Sequence, residues 1–172
     1  MNTAWKSEPV PDDLRLRPVA PDDAHFLRVL YRTTREPEFI HTSWCEAQKA
    51  AFCDMQYDAQ AAGFGHAWPH AKHLVICFAG LAVGRLVKGL TADGLRLVDI
   101  ALLPQLRNRG LGTAILRQLQ EEAATRGLPL ELAVVKSSRA LGLCRRLGLA
   151  VTGELGAHYA LRWHAAATHP VA

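Results

Sequence analysis

No stretch of this chain is apolar for long enough to cross a bilayer. The longest nearly uninterrupted apolar run, Leu74 to Val83, is broken by Gly80 and falls far short of the roughly 18–20 residues a spanning helix needs. The opening residues, Met1-Asn2-Thr3-Ala4-Trp5-Lys6-Ser7-Glu8-Pro9, hold no apolar secretory segment. Cys45, Cys53, Cys77 and Cys144 form no C-x-x-C pair and no metal-finger spacing, which points to free thiols in a reducing compartment. A soluble, cytoplasmic protein with no membrane partner is the expectation. His66, His70 and His73 lie close together, but Trp68 and Pro69 break any helical spacing and no Cys or carboxylate completes a ligand set; no metal is expected. Lys and Arg number 20 against 16 Asp and Glu, a net charge of +4 with a pI near 9.1. The basic residues are spread along the chain apart from Arg107-Asn108-Arg109, so charge alone argues only weakly for anionic ligands and no nucleic-acid partner is expected.

Internal repeats, low-complexity stretches and linkers are also missing. The 172 residues, 18.9 kDa, suit one domain over 1–172 with a core of about 14–163. A chain of this length buries roughly 70% of its unfolded surface and needs no staples. Its 49% apolar and 21% charged residues are those of an ordinary globular protein rather than a disordered one.

Leu14 to Val19 alternates apolar and basic residues and reads as a strand. Pro21-Asp22-Asp23 starts a helix over 24–34, with Phe26, Leu27, Leu30 and Tyr31 at helical spacing. A second helix is expected from Ser43, as its cap, to Ala62, with Trp44, Ala47, Ala51, Met55, Ala59 and Ala62 as its apolar stripe and Gly63-Phe64-Gly65 as its end. Residues 73–78, 81–87 and 95–103 are short apolar runs separated by tight turns, hence consecutive antiparallel strands. A helix follows over 110–126, ended by Gly127. Leu128 to Val135 is apolar at nearly every position and reads as a strand buried on both faces. A short helix over 138–147 and strands at 149–154 and 159–163 complete the order. The fold class is α/β (α+β): a mixed, mostly antiparallel central sheet with helices on both faces.

The most informative stretch is Asp99-Ile-Ala-Leu-Leu-Pro-Gln-Leu-Arg107-Asn-Arg-Gly110-Leu-Gly112-Thr113. A strand runs through a glycine-rich turn straight into an amphipathic helix. Amides at a helix N-terminus lack partners and carry partial positive charge, so an anion such as a phosphate fits there. Glycine lets backbone approach that anion closely, and Arg107 and Arg109 add charge. Neither G-x-x-x-x-G-K-[ST] nor G-x-G-x-x-G is present. Taken alone, Gly-x-Gly is also compatible with a plain turn that starts a helix.

The fuller pattern, Leu102-x-Pro104-x-x-Arg107-x-x-Gly110-x-Gly112, resembles the acetyl-coenzyme A loop of the GNAT N-acetyltransferase superfamily. Ala140-x-x-Leu143-Cys144-x-x-x-Gly148-Leu149 is similar to that family's second signature, A-x-x-L-Y-x-x-x-G-F, and the element order from Leu14 to Trp163 looks like the family fold. The resemblance implies an acyltransferase moving acetyl from acetyl-CoA to a primary amine by direct attack in a ternary complex. Arg107, Asn108, Arg109, Gly110, Leu111 and Gly112, with Thr113 at the helix start, would cradle the pyrophosphate. Backbone near Ala101 and Leu102 would hold the pantetheine arm where strands splay apart, with amides near Leu102 stabilising the oxyanion. Ser137 stands where many relatives carry Asn. The family often dimerises, so a homodimer is compatible with this reading, and its acceptors range from small molecules to peptides and proteins.

Catalytic residues are the open question. Asp99, on the strand entering the loop, is a candidate general base; ordered water or a structural role for Asp99 are the alternatives, and the register where relatives carry a base glutamate falls near Arg96. Cys144 takes the place of the Tyr that often protonates the departing thiolate. It can be a weak acid, a nucleophile or packing, and its stripe with Ala140, Leu143 and Leu147 favours packing. That missing Tyr also keeps open a regulatory module that binds acyl-CoA with little turnover. Trp44, Phe52, Met55 and Tyr57 could line an acceptor pocket or belong to the core. Tyr159 could approach the thioester or pack on the sheet.

Overall fold

The alternation Leu14-Arg15-Leu16 forms the first strand, β1 (Leu14–Pro18), of a computed structural model that describes residues 13–165. The chain then turns at Pro21–Asp23 into α1 (Ala24–Arg35). Asp23 fixes this turn, accepting from the Ala20 amide at 2.8 Å and from two Arg17 nitrogens at 2.7 Å each. The Arg17 guanidinium, then the Ala20 amide, hold its carboxyl down at about 2. A long helix α2 (Glu46–Ala67) and three strands follow, β2 (Lys72–Phe78), β3 (Leu81–Leu90) and β4 (Leu95–Leu102). The second half is α3 (Leu111–Thr125), β5 (Leu130–Val135), α4 (Ala140–Arg146), β6 (Ala150–Leu155) and β7 (His158–Trp163). One seven-stranded sheet results, in the order β1-β2-β3-β4-β5-β7-β6. Every pairing is antiparallel except β4 with β5, as the sequence reading expects.

α3 and α4 pack on one face of the sheet. Leu111, Ile115 and Leu119 from α3 meet Leu74, Ile76, Leu86, Leu95, Leu97, Leu130 and Leu132 in one buried cluster. The other face receives α1, whose Leu27, Leu30 and Tyr31 are buried as their spacing predicts. Between α1 and α2 the seam is largely ionic: Arg28 to Asp58 at 2.7 Å and Arg32 to Asp54 at 2.6 Å.

Three expectations need correction. α2 begins at Glu46, not Ser43, with the Gln48 side chain accepting the Cys45 amide at 2.9 Å, and it runs through Gly63-Phe64-Gly65 to Ala67. Each glycine costs a helix interior about 1 kcal/mol. Phe64 between them offsets that cost by packing against Arg85 (5.8 Å) and His73 (6.4 Å). The apolar stripe of α2 also faces outward, with Trp44 40% and Met55 58% exposed, while Cys53 is the buried residue. Cys53, Tyr57, Gln60 and Phe64 lie on the inward side because the sheet beneath them offers a buried arginine rather than more aliphatic surface. Finally, β5 is buried on one face alone: Leu130, Leu132 and Val134 point into the cluster and Ala133 and Val135 are exposed. No helix of the described residues is long and apolar enough to cross a membrane.

Two glycines give opposite expectations. At Gly84 in β3 an added Cβ would sit 2.4 Å from the Ala101 carbonyl oxygen and 2.8 Å from Leu102 Cδ2; backbone must move to admit it. Gly63, inside α2, has open space around that position. Gly84→Ala should therefore destabilise by about 1–3 kcal/mol, and Gly63→Ala should stabilise by about 0.4–1 kcal/mol. Urea unfolding of the two variants checks both signs.

Candidate active site

β4 and β5 pair at only three positions, Leu95↔Leu130, Arg96↔Glu131 and Leu97↔Leu132, yet β4 continues to Leu102 and β5 to Val135. The ladder stops where β4 bulges. Lys88 of β3 faces Leu97 and the next residue, Val87, faces Asp99, so Val98 is an extra residue on β4. A bulge bends its strand and reverses the alternation of faces beyond it. Past the bulge, Leu103 N–H donates to Val83 O at 2.9 Å. In an antiparallel ladder hydrogen-bonded and open positions alternate, so the amides and carbonyls of Leu102 and Ile100 turn away from β3, into the gap. Arg107 Nε reaches Leu102 O there at 3.0 Å.

At the mouth of the gap stands the N-terminus of α3. The chain leaves β4 through a short turn at Pro104–Leu106 and extends at Arg107. It then takes left-handed conformations at Asn108 (φ 59) and Gly110 (φ 81). Asn is among the few side chains that tolerate this region. No side chain caps α3, so the first-turn amides of Leu111, Gly112 and Thr113 keep their donors for a ligand. A Cβ on Gly110 would meet nothing within 4 Å, and Gly112 lies against Leu143 of α4 at 3.4 Å. Leu111 is itself buried, which anchors the turn. Arg107 and Arg109 are exposed beside it. Ser137 is exposed in the turn after β5, and Ser138 Oγ accepts the Ala140 amide at 3.2 Å to start α4.

Beyond the bulge Asp99 and Ala101 share the α1/α2 face of the sheet with Arg85. Together with Leu27, Leu30, Tyr31, Thr34, Arg35, Gln60 and Ile100 they line a pocket of about 250 Å³. Arg85, its side chain 9% exposed, donates from Nε and Nη2 to Asp99 Oδ2 at 3.1 and 2.6 Å. Nη2 also donates to Gln60 Oε1 at 2.8 Å. The rings of Tyr57 and Phe64 each lie 5.8 Å from the guanidinium carbon. Sequence reasoning passed over Arg85 inside an apolar run; a single charge amid Leu and Val was the available signal. Of the aromatic acceptor candidates, Trp44 and Phe52 form a separate cluster with Phe39 (Trp44–Phe52 5.2 Å), and Tyr57 packs edge-on against Tyr31 at 5.6 Å.

Cys144 is 3% exposed and lies in the buried cluster, and burial pushes its thiol up. Tyr159 packs against that cluster with Lys136 Nζ 5.1 Å from its ring. Among the described residues no group of three His, Cys, Asp or Glu could hold a metal ion.

Comparison with known proteins agrees with this geometry. The acetyltransferase (GNAT) family profile matches residues 22–149, well over half of the chain, and the protein belongs to that family. Membership makes it an acyltransferase with acetyl-coenzyme A as acyl donor. Similar folds include the PaiA N-acetyltransferase of Thermoplasma acidophilum, solved with coenzyme A (13% identity, TM-score 0.66, 88% of this chain and 99% of that one). An acetyltransferase of Thermus thermophilus matches at 19% identity and TM-score 0.63 (88% and 97%). The ribosomal-protein-S18-alanine N-acetyltransferase of Escherichia coli matches at 19% and 0.56 (87% and 90%). At these identities the likeness speaks for the fold. No curated protein sequence matches the chain.

His73 on β2 lies against Phe64 and within the charge field of the Arg85–Asp99 pair. Burial first, then the Arg85 charge, lower its pKa, against a smaller opposing pull from Asp99. The unfolded chain takes up this proton near the usual ~6.5 while the folded chain resists it. Stability is therefore full above about pH 6.5 and falls as pH drops below it. His73→Gln should lose less stability than the parent between pH 7.5 and 5.5, read by urea unfolding at both values.

Proposed function

We propose that this protein is a single-domain N-acetyltransferase that moves the acetyl group of acetyl-CoA to a primary amine by direct attack in a ternary complex. The observation that carries the reading is the parted β4–β5 edge: it is open to a ligand on one side of the bulge that swings Asp99 and Ala101 toward a separate pocket. Donor and acceptor would thus approach from different directions and meet at β4. The donor supplies a thioester, whose carbonyl is the electrophile.

The uncapped turn at Arg107, Asn108, Arg109, Gly110, Leu111, Gly112 and Thr113 would hold the pyrophosphate through backbone donors. Backbone of Ala101 and Leu102 would guide the pantetheine arm, with Ser137 near the far wall. The Ile100 and Leu102 amides, aimed into the gap before any ligand arrives, would stabilise charge developing on the carbonyl oxygen; fixed donors of this kind need no reorganisation during reaction. Asp99 would hold the ammonium through Oδ1, since Arg85 occupies Oδ2, and take its proton before attack; the freed amine then forms the C–N bond, the C–S bond breaks, and the second nitrogen proton leaves with the departing thiolate. Cys144, buried in the apolar cluster, would act as packing.

Gly110→Glu puts a carboxylate and its bulk where phosphate oxygens need bare backbone. It should weaken acetyl-CoA binding at least tenfold, about 1.4 kcal/mol, in calorimetric titration. Unchanged affinity in a folded variant would remove this turn from the donor site. Asp99→Asn should lower turnover by roughly 10²–10⁴-fold with donor affinity kept, and it should also destabilise because buried Arg85 loses its counter-charge. Cys144→Ala should retain most turnover. Release of free thiol across an amine panel separates this enzyme from a module that only binds the donor.

A further inference from the structure

Resting on that reading, we infer that the acceptor is a small amine carrying a carboxylate, of the size and charge pattern of a free amino acid. The pocket beside Asp99 holds two guanidiniums, Arg35 and Arg85, against one carboxylate. Its free hydrogen-bonding valences are equally lopsided. Tyr31 OH already accepts from Arg35 Nε and Nη2 at 3.2 and 3.0 Å. Both lone pairs are engaged, so the phenol has only its proton left to offer. Gln60 commits its carbonyl to Arg85, leaving its NH₂ group as donor. Arg85 makes its three contacts through Nε and Nη2, and Nη1 has no acceptor among the described residues. Against these three donors stand two acceptors, Asp99 Oδ1, the other oxygen being held by Arg85, and the neutral Thr34 hydroxyl oxygen, whose proton goes to Tyr31 O at 2.6 Å; the anionic one is Asp99.

One anionic acceptor amid several donors is the complement of a zwitterion: an ammonium for Asp99 and a carboxylate for Arg85 Nη1, the Tyr31 phenol and the Gln60 amide. Arginine suits the second task because its fork of donors matches a carboxylate. The same arrangement rejects polyamines and aminoglycosides. A second ammonium would need a second carboxylate, and Glu38, which pairs with the pocket's Arg35, is already bound by it at 2.6 Å. Size points the same way, since about 250 Å³ lies below the ~300–1,000 Å³ typical of pockets for drug-sized ligands.

The test uses the full chain, acetyl-CoA, and matched acceptors: free amino acids, their amides and methyl esters, the corresponding decarboxylated amines, and spermidine. The acids should be acetylated with kcat/KM at least tenfold above their amides, and spermidine should be poorer still. Gln60→Glu, which converts a donor into a second carboxylate, should raise KM for the acids at least tenfold and lower the acid-to-amide ratio of kcat/KM. Tyr31→Phe, close to isosteric, should raise KM for the acids more than for their amides. Amides or spermidine matching the acids, acids that fail while other amines react, or an acid-to-amide ratio untouched by Gln60→Glu would each overturn the inference and leave acetyl transfer standing. Donor binding with no acceptor acetylated at all would instead sink the transferase reading, and this inference with it.

Discussion

Because β4 and β5 stay hydrogen-bonded over only three residue pairs, two otherwise well-held strands end with bare backbone facing each other. β4 is paired to β3 as far as Leu102, and β5 to β7 along its full length, from Leu130↔Trp163 to Val135↔His158. Their outer edges are therefore fixed and their inner edges are not. Backbone polar groups bared in such a gap are strong hydrogen-bonding groups, and the Arg107 side chain supplies a partner for one by reaching Leu102 O. In the proposed reading, the amides of an extended pantetheine arm would complete these edges as an added strand would. Rigid walls with unfilled donors are what preorganised binding requires: the cost of arranging them falls on folding rather than on the ligand.

The single extra residue at Val98 controls the other half of the site. Strict alternation would turn Asp99 to the same face as Leu95 and Leu97, against α3, where a carboxylate would be buried among leucines without a partner. Such burial costs several kcal/mol. With the bulge, Asp99 turns to the opposite face and meets Arg85, while Ile100 and Leu102 pack toward the α3 cluster. Gly84 makes this possible on the neighbouring strand, since Ala101 O comes closer than any side chain there would allow. Backbone parting, reversed faces and the buried ion pair are thus consequences of one irregularity.

Much of this was legible in the chain. Element order, the antiparallel sheet and the turn from Arg107 to Thr113 follow from short-range pattern, because glycine, proline and helix-start chemistry act over a few residues. The paired Arg85 and Asp99 were not legible together: 14 residues separate them and a bulge decides whether they face each other. α2 departs from its sequence pattern for a related reason. Its small apolar residues imply a core-facing stripe only if the surface beneath is aliphatic, and here that surface presents Arg85, which draws Tyr57, Gln60 and Phe64 inward instead. β5 reads as two-sided because its Ala and Val suit a buried strand, yet no helix covers the face holding Ala133 and Val135.

The loss of tyrosine at Cys144 is easier to understand once the two proton problems are weighed separately. A departing thiolate has an ordinary pKa near ~8.5, whereas an alkyl ammonium has one near ~10.4. At neutral pH the thiolate leaves with little need of a donor, but the amine arrives protonated and cannot attack until that proton goes. The heavier demand lies on the acceptor side, and in the proposed reading the charged side chains are concentrated there: Asp99 and Arg85, with Arg35 beside them. The proposed donor side would be built from glycines, first-turn amides and strand edges, which hold charge without titrating. Cys144, buried in the apolar cluster, would serve neither task in this reading, and its position is free for packing.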